Sequence, residues 1–428
     1  MNGSLLRGLS RLDIVALTLN NIVGAGIFTM PAALVAGAGG WSVGVLILTI
    51  ALVTAMALCT VEVASRYDVT GGPMYYAGAA FGPSAGFVVG WLMYLSRLSA
   101  FGAIATIMLD YSAGLWPSLG TTALRTLAIT VFVGAIASVN VRGIVQGALT
   151  ANILTIVKCL PLTLLALAGL WLGGWTSVPS AGPPSLDALG GAVLVAFFAC
   201  MGFEPAAVIA GEARDPRRDL PVGMIVGVLG AGALYTLLLF TCFKTVPDLG
   251  RSTRPLADAA AALVGPGGAT VVLITAAISC AGNLSGWMMA SPRVLYALAI
   301  QGDLPEILAT VHTVRRTPWI AIVTSALLVW VMTVSGTFVY LATFSAIARL
   351  LTYASTAGAL IVLRRRVGPA PIPMPLGPLL AIVVLISTLV ALGSTTGSAV
   401  RDVSIAVALG WAGRTVTRRW NRVAVATV

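Results

Sequence analysis

Charge is what this chain has least of. Only 9% of its 428 residues are charged, and aspartate and glutamate together number 14. Soluble domains carry about a quarter of their residues as charges, so a water-facing globule is excluded. Histidine occurs once, as His312 in a basic segment, which removes histidine-based metal or acid–base sites. Five cysteines (Cys59, Cys159, Cys200, Cys242, Cys280) stand far apart in or beside apolar runs. They form no metal or redox spacing and read as small hydrophobes. No low-complexity linker divides the chain. No metal, cofactor or catalytic constellation is expected, and an enzyme is therefore not expected.

What is there is apolar. Hydrophobic residues make up 58% of the chain, and the mean hydropathy is +0.98. That composition specifies a polytopic, all-α membrane protein with the lipid bilayer as its solvent. Met1 to Ser10 are short and polar, and the apolar run that follows is too long for a signal-peptide core, so it is expected to be retained.

A span needs about 20 apolar residues in a helix. Twelve segments satisfy the length and loop signals, near residues 12–36, 41–65, 85–111, 122–140, 149–173, 187–211, 221–243, 267–300, 317–336, 338–362, 375–393 and 398–413. The eighth is long enough to tilt. The twelfth is the weakest, with Arg401 and Asp402 at its start. The net charge of +11 follows alternate loops. Sixteen basic residues fall on the side of the N-terminus, five on the other side, and four (Arg97, Lys158, Arg293, Arg349) inside spans, which accounts for all 25. This asymmetry predicts both termini in the cytoplasm of an inner membrane, and it argues against a nucleic-acid partner, which would need a basic face. Between spans, Val246 to Gly268 suggests a short surface helix on the outer side. Val69 to Ala77 suggests a glycine turn and an amphipathic helix on the inner side.

Two spans are interrupted. In the first, the stretch Asn20 to Pro31 puts Gly24, Gly26 and Pro31 near the middle of an apolar run from about Leu12 to Ala36; in the sixth, Gly202, Glu204 and Pro205 interrupt Val195 to Pro205. Glycine and proline both weaken helices, and freed backbone groups are tolerated in a membrane only where they line a cavity or are buried in protein. Close helix packing is the simpler reading of one glycine pair. Two breaks, five spans apart, point instead to an inverted repeat with a site between its halves. The halves are residues 1–173 and 187–362, with two peripheral helices at 375–413. A broken helix offers free N–H groups where it restarts and free C=O groups where it stops, each end with about half a unit of dipole charge. The amides of Ala25, Gly26 and Ile27 suit a carboxylate, and the carbonyls of Phe198, Ala199 and Met201 suit an ammonium. Ile22, Gly24, Gly202 and Phe203 complete the lining. One small molecule carrying both groups is an α-amino acid.

These stretches resemble a known family. Gly24-Ala25-Gly26-Ile27-Phe28, Gly202-Phe203-Glu204 and Gly211 to Pro221 are similar to signature segments of the amino acid–polyamine–organocation permeases. The resemblance covers nearly the whole chain. It implies a five-plus-five inverted repeat of the leucine-transporter type, with broken helices 1 and 6, two extra helices and alternating access. It leaves open the substrate, symport against exchange, the stoichiometry and the oligomeric state.

Lys158 lies mid-span five, too deep to reach water easily. Either it exchanges a proton during transport or it is a fixed charge on span-one carbonyls. The resemblance implies a cation standing where sodium-coupled relatives hold sodium, hence protons or exchange. Glu204 either relays a proton or joins helices as a neutral acid, bonding to span one or span ten. Trp287 resembles the span-eight tryptophan that covers the substrate side chain in the arginine–agmatine exchangers of that family; Phe203 and Phe198 are gate candidates. Arg97 and Arg349 make the deep charge positive on balance, which disfavours a cationic substrate. Arg293 is expected to pair with Glu212, Asp215 or Asp303. The reading that results is an amino acid transporter, by proton symport or by amino acid/amine exchange. A channel would need a polar stripe along several spans, and a receptor would need a signalling domain.

Overall fold

The computed structural model describes residues 10–67, 72–142, 148–172, 184–204, 206, 214–315, 317–393, 395 and 397–426. Among them there is no strand, and the chain is a bundle of helices. The first apolar run is two helices, α1 (Arg11–Ile22) and α2 (Gly26–Ala38). Ser10 and Asp13 form a reciprocal capping box that starts α1. The helix ends where Val23 leaves helical geometry, and α2 begins with no side-chain cap. Pro31 lies inside α2 rather than at the break. The expectation that glycine and proline share the interruption is therefore corrected: Gly24 and its neighbours break the helix, and proline is carried one turn or more downstream.

The remaining helices are α3 (Ser42–Ala64), α4 (Pro73–Phe81), α5 (Pro83–Ala113), α6 (Thr122–Arg142), α7 (Ala148–Leu172) and α8 (Leu186–Cys200). They are followed by α9 (Pro216–Thr245), α10 (Pro255–Val264), α11 (Pro266–Ile300), α12 (Trp319–Ser335), α13 (Phe338–Val367), α14 (Gly377–Gly393) and α15 (Gly397–Ala426). Helices lie wherever the sequence suggested a span, and α4 and α10 are the two short connecting helices expected. Of the described helical stretches, seven are long and apolar enough to cross a membrane, or eight if the bent pair α14–α15 is one span. The others fall short for physical reasons. The break divides α1 from α2, α8 has 15 residues and α12 has 17, and α15 carries charge along its second half.

The core is organised around α5, which packs against α11, α12 and α13. Its apolar window is 89% buried, whereas that of α6 is 17% buried. An apolar surface as open as that of α6 belongs in lipid. The helices α1 and α9 approach closely because Gly223 and Gly227 of α9 leave room for Ile14 and Thr18. A network of ion pairs gathers at one end of the bundle. Glu62 of α3 takes Arg364 of α13 in a two-oxygen pair at 2.5 and 2.6 Å. Arg366 donates to the Ala80 carbonyl, and Arg414 donates to Ser84 and to Asp303. Arg418 also pairs with Asp303 at 2.8 Å. Asp303 is thus already taken. Arg293 donates instead to the Met289 carbonyl of its own helix, which corrects the pairing expected for it; Asp215 lies 3.9 Å from Arg218, and Glu212 lies outside the described residues.

Candidate functional site

The two helix breaks face each other at backbone distance. A β-carbon on Gly26 would sit 2.6 Å from the α-carbon of Ala199 in α8. A β-carbon on Gly202 would sit 2.5 Å from the carbonyl oxygen of Asn21. Gly202 also adopts φ +132°, a conformation that side-chain-bearing residues avoid. Both glycines are therefore required by the same contact, the crossing of one interruption over the other. Val23, Gly24, Ala25, Gly26 and Ile27 are buried, as are Ala199, Met201, Gly202 and Phe203. Phe198 is 8% exposed and packs edge-on to Phe338 of α13.

Free backbone groups converge here. The N-terminus of α2 is uncapped, and its helical N–H groups at Gly26 and Ile27 have no intrahelical acceptor. The C-terminus of α8 stops at Cys200, with Met201 extended. Tyr235 of α9 stands between the two stops. Its hydroxyl donates to the Ile22 carbonyl at 2.7 Å and lies 3.2 Å from the Ala199 carbonyl. Lys158 of α7 is 2% exposed, and its ammonium donates to the Asn20 carbonyl in the last turn of α1. Tyr111 of α5 donates to the Phe28 carbonyl at 2.6 Å. On α11 the amide of Asn283 lies against Gly24. Nearby, the Asn20 Oδ1 and Ser279 Oγ atoms are buried without a hydrogen-bond partner among the described residues.

A second cluster adjoins the α8 stop. Glu204 accepts from the Tyr353 hydroxyl and lies 3.5 Å from Arg349 Nη1; both partners are on α13, the tenth predicted span. Arg349 also donates to Ser96 Oγ at 3.0 Å and lies 4.7 Å above the ring of Trp287. Tyr353 stacks on Phe203 with ring centroids 5.2 Å apart. The structure thus brings the predicted residues into two groups. Ile22 to Ile27, Phe198 to Gly202 and Lys158 form the first, and Phe203, Glu204 and Trp287 form the second. Trp287 is half-buried, and Gly286 beside it faces open space rather than a close neighbour. Pro205 and Gly211 to Ala213 of the third motif lie outside the described residues. Its Asp219 accepts from Arg11 Nε at 3.0 Å and ties α1 to α9.

Sequence reasoning missed Tyr235, Tyr111, Asn283 and Tyr353. One of them carried a signal: Tyr353 is four residues after Arg349, so both lie on one face of a helix. A tyrosine in the middle of an apolar run, such as Tyr235, carries no such flag, because its apolar ring fits any core and only the tertiary contact reveals what its hydroxyl reaches.

A helical membrane bundle with two interrupted helices pressed together at a buried site is the architecture of a permease, a transporter rather than an enzyme. Comparison with known proteins makes the class specific. The amino acid permease family profile matches residues 9–413, and the chain belongs to that family. A serine/threonine exchanger from Bacillus subtilis is 26% identical over 437 residues, covering 96% of each chain. An uncharacterized transporter from Mycobacterium tuberculosis is 28% identical over 427 residues, covering 97% of this chain and 93% of its own. A vacuolar cationic amino acid transporter from Arabidopsis thaliana is 24% identical over 394 residues, covering 87% of this chain and 62% of its own.

Proposed function

We propose that the protein carries an amino acid across an inner membrane by alternating access around the crossing of the two breaks. The observation behind this reading is that the uncapped start of α2 and the stop of α8 meet in one buried place. The amides of Ala25, Gly26 and Ile27 take the substrate carboxylate, which a helix N-terminus favours. The carbonyls of Phe198, Ala199 and Met201 take the ammonium, the Ala199 oxygen sharing it with Tyr235. Ile22, Gly24 and Gly202 shape the cavity, and Phe203 and Trp287 close over it. Twelve spans form two inverted five-span halves, 1–173 and 187–362, with residues 375–413 at the periphery. Both termini are cytoplasmic, as the basic loops indicate.

Lys158 and Glu204 couple transport to protons. Lys158 holds the last turn of α1 by its Asn20 carbonyl, so a change in its charge alters the helix that binds the substrate. One proton crossing about 100 mV supplies roughly 2.3 kcal/mol, enough for about 50-fold accumulation. A second reading is exchange without net proton movement, with Lys158 as a fixed charge. The name of the Bacillus relative favours it.

The test is uptake of a panel of radiolabelled amino acids into proteoliposomes, with and without an inward proton gradient, for wild type and Lys158→Ala. Gradient-driven accumulation that disappears in the variant supports symport. Uptake indifferent to the gradient but dependent on internal amino acid supports exchange. Absence of uptake for every amino acid overturns the reading.

A further inference from the structure

The deep charges beside the α8 stop do not balance. Arg349 is committed on three sides, to Glu204, to Ser96 and to the Trp287 ring. Glu204 is committed to Arg349 and Tyr353. Arg97 lies near the middle of the 31-residue α5. It is within electrostatic reach of Glu204, Arg349 and Tyr353, yet among the described residues it forms neither an ion pair nor a hydrogen bond. Among the described residues, one carboxylate thus faces two guanidiniums.

Arg97 also keeps accessible surface. One turn before and after it on the same helix face lie Met93, Tyr94, Ala100 and Phe101, all buried. Arg97 therefore lies on a face of α5 that is packed inside the protein rather than on a lipid-facing stripe. An arginine cannot shed its proton, and a guanidinium in such surroundings is costly without an anion. Lys158 does not compete for an incoming anion, because its ammonium is on the Asn20 carbonyl.

We propose that Arg97 receives a carboxylate on the substrate side chain, so that the carrier selects acidic amino acids of the aspartate and glutamate type. The inference rests on the amino acid permease reading above and adds the substrate class. The α-carboxylate and α-ammonium occupy the helix breaks. The side chain then extends past Phe203 and Trp287, where a planar guanidinium pairs with a carboxylate through two parallel hydrogen bonds.

The experiment is thermal stabilisation of the purified full-length protein by L-aspartate, L-glutamate, L-serine, L-alanine and L-arginine, alongside competition of each against radiolabelled uptake. Aspartate or glutamate is expected to bind at least about tenfold more tightly than the others. Arg97→Gln is expected to weaken the acidic ligand by at least about tenfold and serine or alanine by less than about threefold, with Arg97→Lys between. An acidic preference that survives Arg97→Gln overturns the assignment to this residue. Binding of neutral or basic amino acids in preference to acidic ones overturns the inference and leaves the permease reading standing. Failure to bind any amino acid overturns both. If Arg97→Gln does not fold, the wild-type panel still decides the substrate class.

Discussion

Gly26 shows how much one hydrogen atom matters in this protein. The β-carbon of an alanine there would stand 2.6 Å from Ala199 Cα and 2.8 Å from its Cβ, and neither atom can swing away as the end of a long side chain can. Gly26→Ala is expected to separate the two breaks and abolish uptake in proteoliposomes. Gly286→Ala, where the added carbon meets nothing within 4 Å, is expected to leave uptake unchanged. If both variants transport normally, the crossing is not the site. Tyr235 is the second residue on which the crossing depends. Tyr235→Phe removes a hydroxyl that reaches both the Ile22 and Ala199 carbonyls. Leaving a buried acceptor unpaired costs about 1–3 kcal/mol, so the thermal midpoint in detergent should fall and substrate affinity should weaken with it. An unchanged midpoint would mean that water reaches those carbonyls freely.

Helices are joined at one end of the bundle by buried charge rather than by apolar contact alone. Glu62 is fully buried on α3; it accepts two bonds from Arg364 of α13 and one from the Met374 amide before α14. The three elements therefore meet on a single carboxylate. Removing one member of a buried pair costs about 3–5 kcal/mol, whereas replacing both by apolar groups is often neutral. Glu62→Leu alone should lower the unfolding temperature sharply, and Glu62→Leu combined with Arg364→Leu should recover most of the loss. Equal melting of the single and double variants would show that an Arg364 left without Glu62 carries no penalty. The contact between α1 and α9 is of another kind. Gly223 and Gly227 admit Ile14 and Thr18, and close packing of this sort is how helices adhere where lipid removes the hydrophobic drive.

At the scale of the whole molecule, the basic residues and the ion-pair network share one end. Ser84, Ala80, Glu62 and Asp303 all meet arginines there. The proposed twelve-span topology puts both chain ends on that side. The five native cysteines are buried or half-buried and can be replaced to give a silent background. Single cysteines introduced ahead of α1 and at the end of α15 should then react with an impermeant maleimide only from the cytoplasmic face. Reaction of the two ends from opposite faces would give an odd number of spans and overturn the twelve-span topology.

Composition alone settled that this chain lives in a membrane, because 9% charge cannot cover a water-facing surface. The interruption of spans one and six was also legible, since glycines in a lipid-spanning run are local features of the covalent chain. The resemblance of three motifs to a permease family was legible for the same reason. Other features were decided in three dimensions. Pro31 lies inside α2, and the helix breaks at the glycine stretch before it instead. Glu204 bonded to α13 rather than to α1, Arg293 turned to its own helix, and Asp303 was held by Arg414 and Arg418. Partner choice among buried polar groups depends on which side chains, hundreds of residues apart, arrive at one depth and one face. No local pattern encodes that, and only the packed bundle decides it.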